Sequence, residues 1–334
     1  MTIQRGDVVL VTGATGFTGR HLVKTLCNTG AEVRAIARAS SDCTELEKLP
    51  VALYRGEVFD ADVINSAIEG VNYVFHVAAA YREAKISDDV YWNVHVGSTK
   101  HLANACLVQT DFKRFVHVST LGVHGHIENP PATEEYPFAP GDRYQETKVE
   151  AEMWIRDFAE QNSLPVTVVR PAAIYGPGDR RLLKVFKMAK MNLVPMLGLG
   201  HKHLYHLIHV TDLVDFMILS ATHERTAGEV YACGAKDPIT IQNMIRIIAG
   251  ELDTRPRFLR LPVTPFFIAG DLCEFVCKPL GIEPPIYRRR VAFFTKDRAF
   301  DTSKMRKHTG FSNRYSNESG LTNLAQWYKR EGWL

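Results

Sequence analysis

Short runs of aliphatic and β-branched residues alternate with longer amphipathic segments through the first two thirds of the chain. The apolar runs lie at positions 8–12, 32–37, 51–54, 73–77, 114–119 and 166–170, and a further run lies at 228–233. They are uninterrupted, which is typical of strands in a parallel sheet covered on both faces. Helical patterns over 16–28, 61–68, 89–107 and 143–161 separate them. This alternation predicts right-handed βαβ units and therefore a doubly wound α/β fold.

The pattern changes after position 170. A helical pattern at 181–190 is followed by a glycine-rich turn, and from position 238 onward short helices alternate with proline-containing loops. We therefore predict two domains. The sheet domain comprises residues 1–175 and 209–235 and carries the parallel sheet. Residues 176–208 and 236–334, which we call the lid segments, are expected to form a smaller substrate-binding lid.

The composition fits a globular chain and excludes several classes of protein. Of 334 residues, 46% are apolar, and 40 basic residues nearly balance 37 acidic ones, which gives a formal net charge of +3. This charge is too small for a nucleic-acid-binding surface. Six cysteines at irregular spacings predict neither a disulfide framework nor a metal site. The N-terminal MTIQRGD leaves no room for a signal peptide, and no run of about 18 apolar residues predicts a membrane span. These features predict a cytoplasmic protein.

The first apolar run leads directly into the segment GATGFTG, which contains Gly13, Gly16 and Gly19. A glycine motif between a strand and a helix is typical of a dinucleotide-binding Rossmann unit. Gly13 permits the tight turn, Gly16 lets a diphosphate approach the backbone, and Gly19 allows the helix to pack closely on the sheet. The helix N-terminus offers free N–H groups and a positive dipole to the phosphates. The motif therefore predicts an NAD(P) site.

The end of the second predicted strand bears on the choice between the two cofactors. An NAD site usually has an acidic residue there, which binds the ribose 2′-hydroxyl. This chain has Arg38 instead, followed by Ser40 and Ser41. A guanidinium in this place attracts a 2′-phosphate, which favours NADP. NAD remains the alternative, since Arg38 stacked on the adenine would suit either cofactor.

Tyr144 and Lys148 lie in the segment YQETK on a predicted helix, four residues apart and hence on one face. A free tyrosine, with a pKa of about 10, is a poor base at neutral pH. An adjacent ammonium stabilises the phenolate and lowers that pKa. The pair therefore predicts acid–base chemistry at a hydroxyl or carbonyl oxygen.

These segments together resemble the extended short-chain dehydrogenase/reductase family, and the resemblance covers nearly the whole chain. The matching segments are TGATGFTG, HVAAA (76–80), NVHVGST (93–99), VSTLGVHG (118–125), YQETK, RPAAIYGPG (170–178) and HVTDLV (209–214). The resemblance implies hydride transfer to or from a small-molecule substrate, whose oxygen Thr120 and Tyr144 contact. It assigns Lys148 to the cofactor ribose and the carbonyl of Asn93 to the proton relay. The residues that it places at the cofactor are Gly13, Gly16, Phe17, Thr18, Gly19, Arg38, Glu57, Val58, Ala78, Ala79, Tyr144, Lys148 and Pro171.

Several positions depart from the sugar-nucleotide branches of this family. Leu121 and Gly122 stand where the 4,6-dehydratases have an Asp–Glu pair after the catalytic threonine. Ala173 replaces an Asn, and Tyr205 an Arg, that contact the nucleotide diphosphate in many of these enzymes. Their loss removes charge-assisted hydrogen bonds worth about 1.5–3 kcal/mol each. The departures therefore argue against dehydration and weaken the prediction of a nucleotide-sugar substrate.

Other segments are most similar to branches that act on apolar substrates. RPAAIYGPGD and DTSKMRKHTGF resemble the 3β-hydroxysteroid-dehydrogenase-like and dihydroflavonol-reductase-like branches, and HVAAAYR resembles hopanoid-associated sequences. The resemblance implies a bulky, largely apolar ketone or secondary alcohol as substrate. The apolar segment 263–280 either receives this substrate or packs as an ordinary core helix of the lid.

Two other functions remain open. A nucleotide-sugar 4-epimerase with tightly bound NAD is the alternative enzyme. A non-catalytic, cofactor-sensing scaffold is the alternative from another class, and the presence of Thr120, Tyr144 and Lys148 argues against it. The resemblance also implies a homodimer in which helices around 93–106 and 144–158 form a four-helix bundle.

Overall fold

The computed structural model describes residues 2–80, 87–198, 202–277 and 295–334. Its strands are β1 (Val8–Thr12), β2 (Glu32–Ala37), β3 (Val51–Arg55), β4 (Tyr73–His76), β5 (Arg114–Val118), β6 (Val166–Pro171), β7 (Ala173–Tyr175), β8 (Leu193–Leu197), β9 (Leu204–Tyr205), β10 (Leu207–His209), β11 (Val230–Cys233), β12 (Ile239–Thr240) and β13 (Arg257–Leu261). Its α-helices are α1 (Phe17–Cys27), α2 (Thr44–Glu47), α3 (Ala61–Ile68), α4 (Asp88–Trp92), α5 (Ser98–Leu107), α6 (Arg143–Asn162), α7 (Leu183–Ala189), α8 (Val210–Thr222), α9 (Ile241–Glu251), α10 (Thr264–Cys277), α11 (Ser303–Thr309) and α12 (Asn317–Arg330).

Seven strands form one sheet in the order β11-β6-β5-β4-β1-β2-β3. Every pair of neighbours in this sheet is parallel. The strand order reverses between β1 and β4, so their carboxyl ends flank the crevice in which sheets of this kind bind ligands. The predicted doubly wound Rossmann-type fold is confirmed.

Apolar side chains cover the sheet on both faces, as its uninterrupted strands predict. On one face, α1 and α8 contribute the buried side chains of Leu22 and Phe216. On the other face, α3, α5 and α6 contribute those of Ile64, Leu102 and Ile155. Full burial of such a side chain stabilises the fold by about 1.5–3 kcal/mol. The sheet is therefore a rigid platform for the residues at its carboxyl edge.

The predicted elements lie within two residues of the observed ones, except for the helix predicted over 89–107. That helix is interrupted by a π-helical turn at Asn93–Gly97, in which the backbone N–H of Ser98 donates to the carbonyl of Asn93. Turns of this kind are rare and occur mostly at functional sites. The 3.6-residue period on each side gives no sign of it.

A separate apolar cluster holds the lid segments together. Helices α7, α9 and α12 pack around Phe186, Ile245 and Tyr328. Residues in the C-terminal part of the second lid segment, including Phe300 and Met305, instead belong to the core beside the main sheet. The lid segments therefore have a core of their own and are also anchored on the sheet domain. Positions 278–280 of the predicted apolar segment lie outside the described residues.

Across the described ranges, we find no helix whose length and apolar character would allow it to cross a membrane.

Candidate active site

The turn between β1 and α1 has the geometry of a phosphate-binding site. Gly13 adopts a φ of 71°, and a Cβ atom on it would lie 2.7 Å from the backbone nitrogen of Ala78. Gly16 caps α1 without a side-chain hydrogen bond, and the first turn of the helix has no acidic residue. The first N–H groups of α1 therefore suit an anion, which the helix dipole attracts. A dinucleotide diphosphate fits this turn.

The rest of the glycine motif forms the first turn of α1. Thr18 and Gly19 are buried, and a Cβ atom on Gly19 would overlap a backbone carbonyl of the turn. Phe17 is half-buried, and the guanidinium of Arg181 lies 5.5 Å from the centre of its ring. This contact joins the phosphate-binding turn to the loop that follows β7. The sequence interpretation did not include Arg181 in the site.

Arg38 lies at the predicted adenosine end, exposed and directly after β2. The loop that follows is held by Arg55, whose guanidinium donates to two carbonyl oxygens of residues 39–41 at 2.8 and 3.1 Å. The carboxylate of this loop, Asp42, accepts from the backbone N–H and the hydroxyl of Thr44 at the start of α2. Arg38 and Asp42 are both exposed, and the carboxylate of Asp42 is hydrogen-bonded within its own turn.

The other residues that the family resemblance places at the cofactor lie at or just after the carboxyl ends of β3, β4 and β6, three strands of the main sheet that are not adjacent to one another. After β3, Glu57 is exposed and Val58 is buried; after β4, Ala78 is buried and Ala79 is exposed. Pro171 is the buried last residue of β6. Since parallel strands end at one edge of a sheet, the fold brings these residues to the same edge as the glycine motif.

Lys148 is the most deeply buried of the predicted catalytic residues. Its side chain is 2% exposed, and Nζ donates to the carbonyl oxygen of Val118 at 3.0 Å. Burial lowers the pKa of Lys148 to about 8, an effect that the carboxylate of Glu152 opposes. The ammonium is therefore held at the end of β5, two residues before Thr120.

Thr120 and Tyr144 lie on elements that pack against each other. The hydroxyl of Thr120 accepts from the backbone N–H of Gly122 at 3.1 Å, which caps a short 3₁₀ turn. A Cβ atom on Gly122 would lie 3.1 Å from Nε2 of Gln145 and 3.3 Å from Oγ1 of Thr120. Gln145 follows Tyr144 in the first turn of α6. Gly122, which departs from the dehydratase pattern, therefore permits the close approach of these two elements.

His95 connects the loop after β4 to the helix that carries Tyr144. The backbone N–H of Ala80 donates to Nε2 of His95 at 3.1 Å, so Nδ1 carries the proton and donates to Oγ1 of Thr147 at 2.8 Å. Burial lowers the pKa of His95, and the nearby charge of Lys148 lowers it further, so the ring is neutral. The rings of His95 and Tyr144 meet edge to face with their centres 5.2 Å apart. The sequence interpretation gave this histidine no role.

His76 makes a second connection of this kind, between the loop after β4 and the π-helical turn. The N–H of Ala78 donates to the hydroxyl of Thr12 at 3.2 Å, and that hydroxyl donates to Nδ1 of His76 at 2.7 Å. Nε2 of His76 then donates to the hydroxyl of Ser98 at 3.1 Å, which donates to the carbonyl of Val94 at 2.6 Å. Burial lowers the pKa of His76 to about 3. A neutral histidine thus ties the cofactor edge to the π-helical turn.

Asn93 begins that π-helical turn and is half-buried. Its carbonyl oxygen accepts from the N–H of Ser98, and a carbonyl oxygen has two acceptor lone pairs. A second hydrogen bond to this oxygen, in the proton relay that the resemblance implies, stays a prediction. In this stretch the backbone hydrogen bonds are spaced five residues apart, whereas the flanking helices α4 and α5 have the four-residue spacing.

A buried ion pair fastens α6 to the sheet. Nε of Arg170 donates to both carboxylate oxygens of Glu152 at 3.0 Å, and the two side chains are 1% and 0% exposed. Nη1 of Arg170 also donates to the carbonyl oxygen of Glu134 at 2.6 Å. Glu152 lies four residues after Lys148, so the sequence alone predicts that it shares the face of α6 that carries Tyr144 and Lys148. The interpretation nevertheless missed it.

Comparisons with known proteins identify the family of this chain and several of its relatives. The profile of the NAD dependent epimerase/dehydratase family matches residues 9–234. Over 348 aligned residues the chain is 28% identical to a 3β-hydroxysteroid dehydrogenase/Δ5→4-isomerase from Mycobacterium tuberculosis, with 96% of this chain and 90% of that protein covered. It is 26% identical over 345 residues to the decarboxylating sterol-4-α-carboxylate 3-dehydrogenase of Saccharomyces cerevisiae, with 96% and 97% covered.

A solved structure shows the same fold. The dTDP-glucose 4,6-dehydratase from Streptomyces venezuelae, crystallised with NAD, matches with a TM-score of 0.75 over 98% of both chains and is 22% identical. The family profile spans more than half of this chain, and its boundaries enclose the glycine turn, the Tyr144–Lys148 pair and all of the main sheet except its first residue, Val8. The chain belongs to the NAD dependent epimerase/dehydratase family.

Proposed function

We propose that this enzyme is a dehydrogenase or reductase that transfers a hydride between a nicotinamide cofactor and a secondary alcohol or ketone. The observation that carries the proposal is the position of Lys148, a buried cation one helical turn from Tyr144 and bonded to the strand that leads to Thr120. Burying an ammonium is unfavourable unless its charge is used or compensated. Stabilising a phenolate is such a use.

The proposed roles follow from the chemistry of the side chains. The hydroxyls of Thr120 and Tyr144 hydrogen-bond the substrate oxygen. Tyr144 donates its phenolic proton to that oxygen in reduction and accepts it in oxidation. The ammonium of Lys148 stabilises the phenolate that remains. The nicotinamide, when bound, gives or takes the hydride. His95 positions the ring of Tyr144 without exchanging a proton, because its nitrogens are engaged.

We propose NADP as the preferred cofactor. Arg38 presents a solvent-facing guanidinium at the end of β2, where a 2′-phosphate would lie, and charge-assisted bonds to phosphate are strong. The neighbouring carboxylate of Asp42 is bonded to Thr44. The position directly after β2 therefore carries a cation, where NAD sites usually carry the acidic group that holds a bare ribose.

The proposed substrate is a bulky, largely apolar molecule that binds between the sheet domain and the lid segments. Ala173 has no polar side chain to offer a diphosphate. Tyr205 is 5% exposed and pairs with Ile239 in an antiparallel ladder, so it belongs to the core of the lid segments. The names of the mycobacterial and yeast relatives describe steroid and sterol 3-dehydrogenation. These observations support a ketone or alcohol on a fused-ring or similarly apolar skeleton.

We also propose a homodimer formed through α5 and α6. Met153 on α6 is 50% exposed, and Trp154 and Phe158 on the same helix stack with ring centres 4.6 Å apart while remaining half-buried. Exposed apolar surface on a helix is typical of an interface. Light scattering at micromolar concentration should give twice the chain mass of 37.6 kDa. A monomer at that concentration would contradict this part of the proposal.

The proposed reaction is tested by following NADPH and NADH oxidation at 340 nm with a panel that contains a 3-ketosteroid, a dihydroflavonol and a UDP-hexose. We expect turnover with at least one bulky ketone, a higher kcat/KM with NADPH, and no oxidation with the UDP-hexose. A Tyr144→Phe sample run in parallel excludes a contaminating reductase. Interconversion of the UDP-hexose without net oxidation of either cofactor would contradict the proposal and favour a 4-epimerase.

A further inference from the structure

Exposed apolar side chains concentrate in the lid segments. Among the described residues, eleven large hydrophobic side chains are exposed, and seven of them lie in the lid segments. Four are on α10, and two others, Leu193 and Leu259, are on the adjacent strand pair β8–β13. The sheet domain supplies more of the chain but only four such side chains. Large exposed apolar patches on a folded protein mark binding surfaces.

The four side chains on α10 form one continuous face of the helix. They are Ile268, Leu272, Phe275 and Val276, spaced i, i+4, i+7 and i+8 and 50–78% exposed. Asp271 lies at one edge of this face and is exposed. The half-buried Phe267 lies on the side toward the protein. Of the two alternatives for this segment, packing as an ordinary core helix does not hold at the four exposed positions.

The strand pair before α10 continues this surface. In the register of β8 and β13, Leu193 lies opposite Arg257 and Pro195 opposite Leu259. These four are exposed, whereas Val194 and Met196 between them are fully buried. One side of the strand pair therefore faces the core, and the other presents leucines and an arginine to solvent. Two residues separate the end of β13 from the start of α10.

The net charge of the whole chain is small, but its two parts carry large net charges of opposite sign. The lid segments contain 23 basic and 11 acidic residues, a net charge of +12, whereas the sheet domain contains 17 basic and 26 acidic residues, a net charge of −9. Arg255, Arg257 and Arg260 on and beside β13 are exposed. The apolar face is thus set in the basic part of the molecule.

We propose that the lid segments dock on an anionic phospholipid bilayer, with the exposed face of α10 in the interfacial layer. The 14 described residues of α10 are fewer than the about 20 that a membrane-spanning helix takes, whereas a helix lying in the membrane plane needs only one apolar face. Basic side chains around that face are attracted to acidic headgroups, and the acidic sheet domain is repelled from them. Charge and apolar surface therefore orient the enzyme in the same way, lid segments toward the lipid.

The charge pattern favours a bilayer over the two other occupants of such a face. An acidic partner protein would form ion pairs with the basic side chains only, and a second copy of this chain would cover the apolar side chains only. A bilayer with anionic headgroups attracts the basic side chains and buries the apolar ones over a wide surface. The exposed side chains are likewise spread over α10 and the β8–β13 pair. A substrate dissolved in that bilayer would also lie next to the proposed substrate-binding segments.

The test is flotation of the purified full-length enzyme with vesicles, without substrate or nucleotide. We expect binding to vesicles of equal parts phosphatidylcholine and phosphatidylglycerol, and at least tenfold weaker binding to phosphatidylcholine alone or at 0.5 M salt. The double variant Leu272→Ser/Phe275→Ser should lose at least tenfold in affinity. Val108→Ser is the matched control, because Val108 is 79% exposed but lies in the sheet domain, and it should bind like the wild type.

Unfolding midpoints of both variants establish that they are folded. Absence of binding to anionic vesicles, or equal binding by the Leu272→Ser/Phe275→Ser variant, would overturn the proposal. Loss of a dimer in the lid variant, seen by light scattering without vesicles, would also overturn it and would assign the face to contacts between copies. Because the assay needs no turnover, its result is independent of the proposed reaction.

Discussion

The sheet domain and the lid segments differ in what they bury and in what they expose. The sheet domain buries charged and titratable groups, namely Lys148, the Arg170–Glu152 pair and the neutral histidines His76 and His95. The lid segments bury mainly aliphatic and aromatic side chains, with few buried polar ones such as Asp179, His206 and Thr302, and their outer surface is apolar and basic. A preorganised polar interior is required where charge develops in a reaction. Apolar surface is sufficient where a substrate or a membrane has only to be matched in shape and hydrophobicity.

The difference has a structural origin. The buried polar groups near the proposed active site are tied to the ends of strands, as Lys148 is to β5 and His95 to the loop after β4. A parallel sheet fixes those edges relative to one another through a continuous hydrogen-bonded ladder. The lid segments are built from small two-stranded sheets and short helices, which provide fewer such fixed positions. In the proposed function, the sheet domain therefore carries the chemistry and the lid segments carry the recognition of substrate.

The largest effect is expected from Tyr144→Phe. Removing the phenolic hydroxyl removes the proton donor, and general acid–base catalysis contributes about 10²–10⁴-fold. We expect kcat to fall by about 10³-fold, while the Kd for NADPH, measured by fluorescence titration, stays nearly unchanged. The matched control in the lid segments is Tyr328→Phe, which removes the hydrogen bond to the carbonyl of Asp179 and should leave kcat within about twofold. Retention of more than a tenth of the wild-type rate by Tyr144→Phe would refute its role.

The next effect concerns stability. Glu152→Gln leaves the guanidinium of Arg170 buried without a counterion, and breaking a buried pair in this way costs about 3–5 kcal/mol. Urea denaturation should show this decrease in the free energy of unfolding. Glu160→Gln, at an exposed position of the same helix, should change it by less than about 0.5 kcal/mol. Equal effects of the two substitutions would show that the polar interior of the sheet domain is not what holds α6.

Arg38→Ala tests the cofactor preference. Loss of a charge-assisted contact worth about 1.5–3 kcal/mol should weaken NADP binding about 10- to 100-fold. NAD affinity should stay the same, since NAD has no 2′-phosphate. Calorimetric titration of the wild type and the variant with both cofactors measures the two values directly. A parallel loss for both cofactors would mean that Arg38 contacts the adenine instead.

The smallest effect is a pH dependence due to Lys148. Its pKa of about 8 in the folded chain lies below the ordinary value of about 10.4, so between these values the unfolded chain binds more protons than the folded chain. Its unfavourable contribution to folding is therefore complete below pH 8 and diminishes as the pH rises. From pH 8 to 9 the wild type should gain about 1 kcal/mol of unfolding free energy relative to Lys148→Met. The neighbouring histidines His76 and His95 have lowered pKa values and do not titrate there.

The sequence was sufficient for the fold and for the residues that belong to recognisable motifs. Strand and helix periods predict the main sheet, and the proposed site rests on the glycine turn and on the Tyr144–Lys148 spacing. The π-helical turn at Asn93 could not be predicted, because the apolar period is the same on both sides of it. His95 was missed because a single histidine has no periodic signal, and its role depends on Ala80 and Thr147 meeting it in three dimensions.

The surface of α10 shows another limit of sequence reasoning. Its apolar residues predict a helix, but whether they are buried depends on which elements pack against it, and four of them are exposed. The charge asymmetry, in contrast, is present in the sequence. It becomes visible only when the charges are counted separately for the sheet domain and the lid segments.

The proposed function requires net oxidation or reduction of the substrate with an exchangeable cofactor. The most direct test is to denature the freshly purified protein and identify the released dinucleotide and any copurified ligand by mass spectrometry. We predict substoichiometric dinucleotide in the released material, together with strong binding of added NADPH by the native protein. Stoichiometric NAD released together with a nucleotide sugar would contradict the account and identify the site as that of an epimerase.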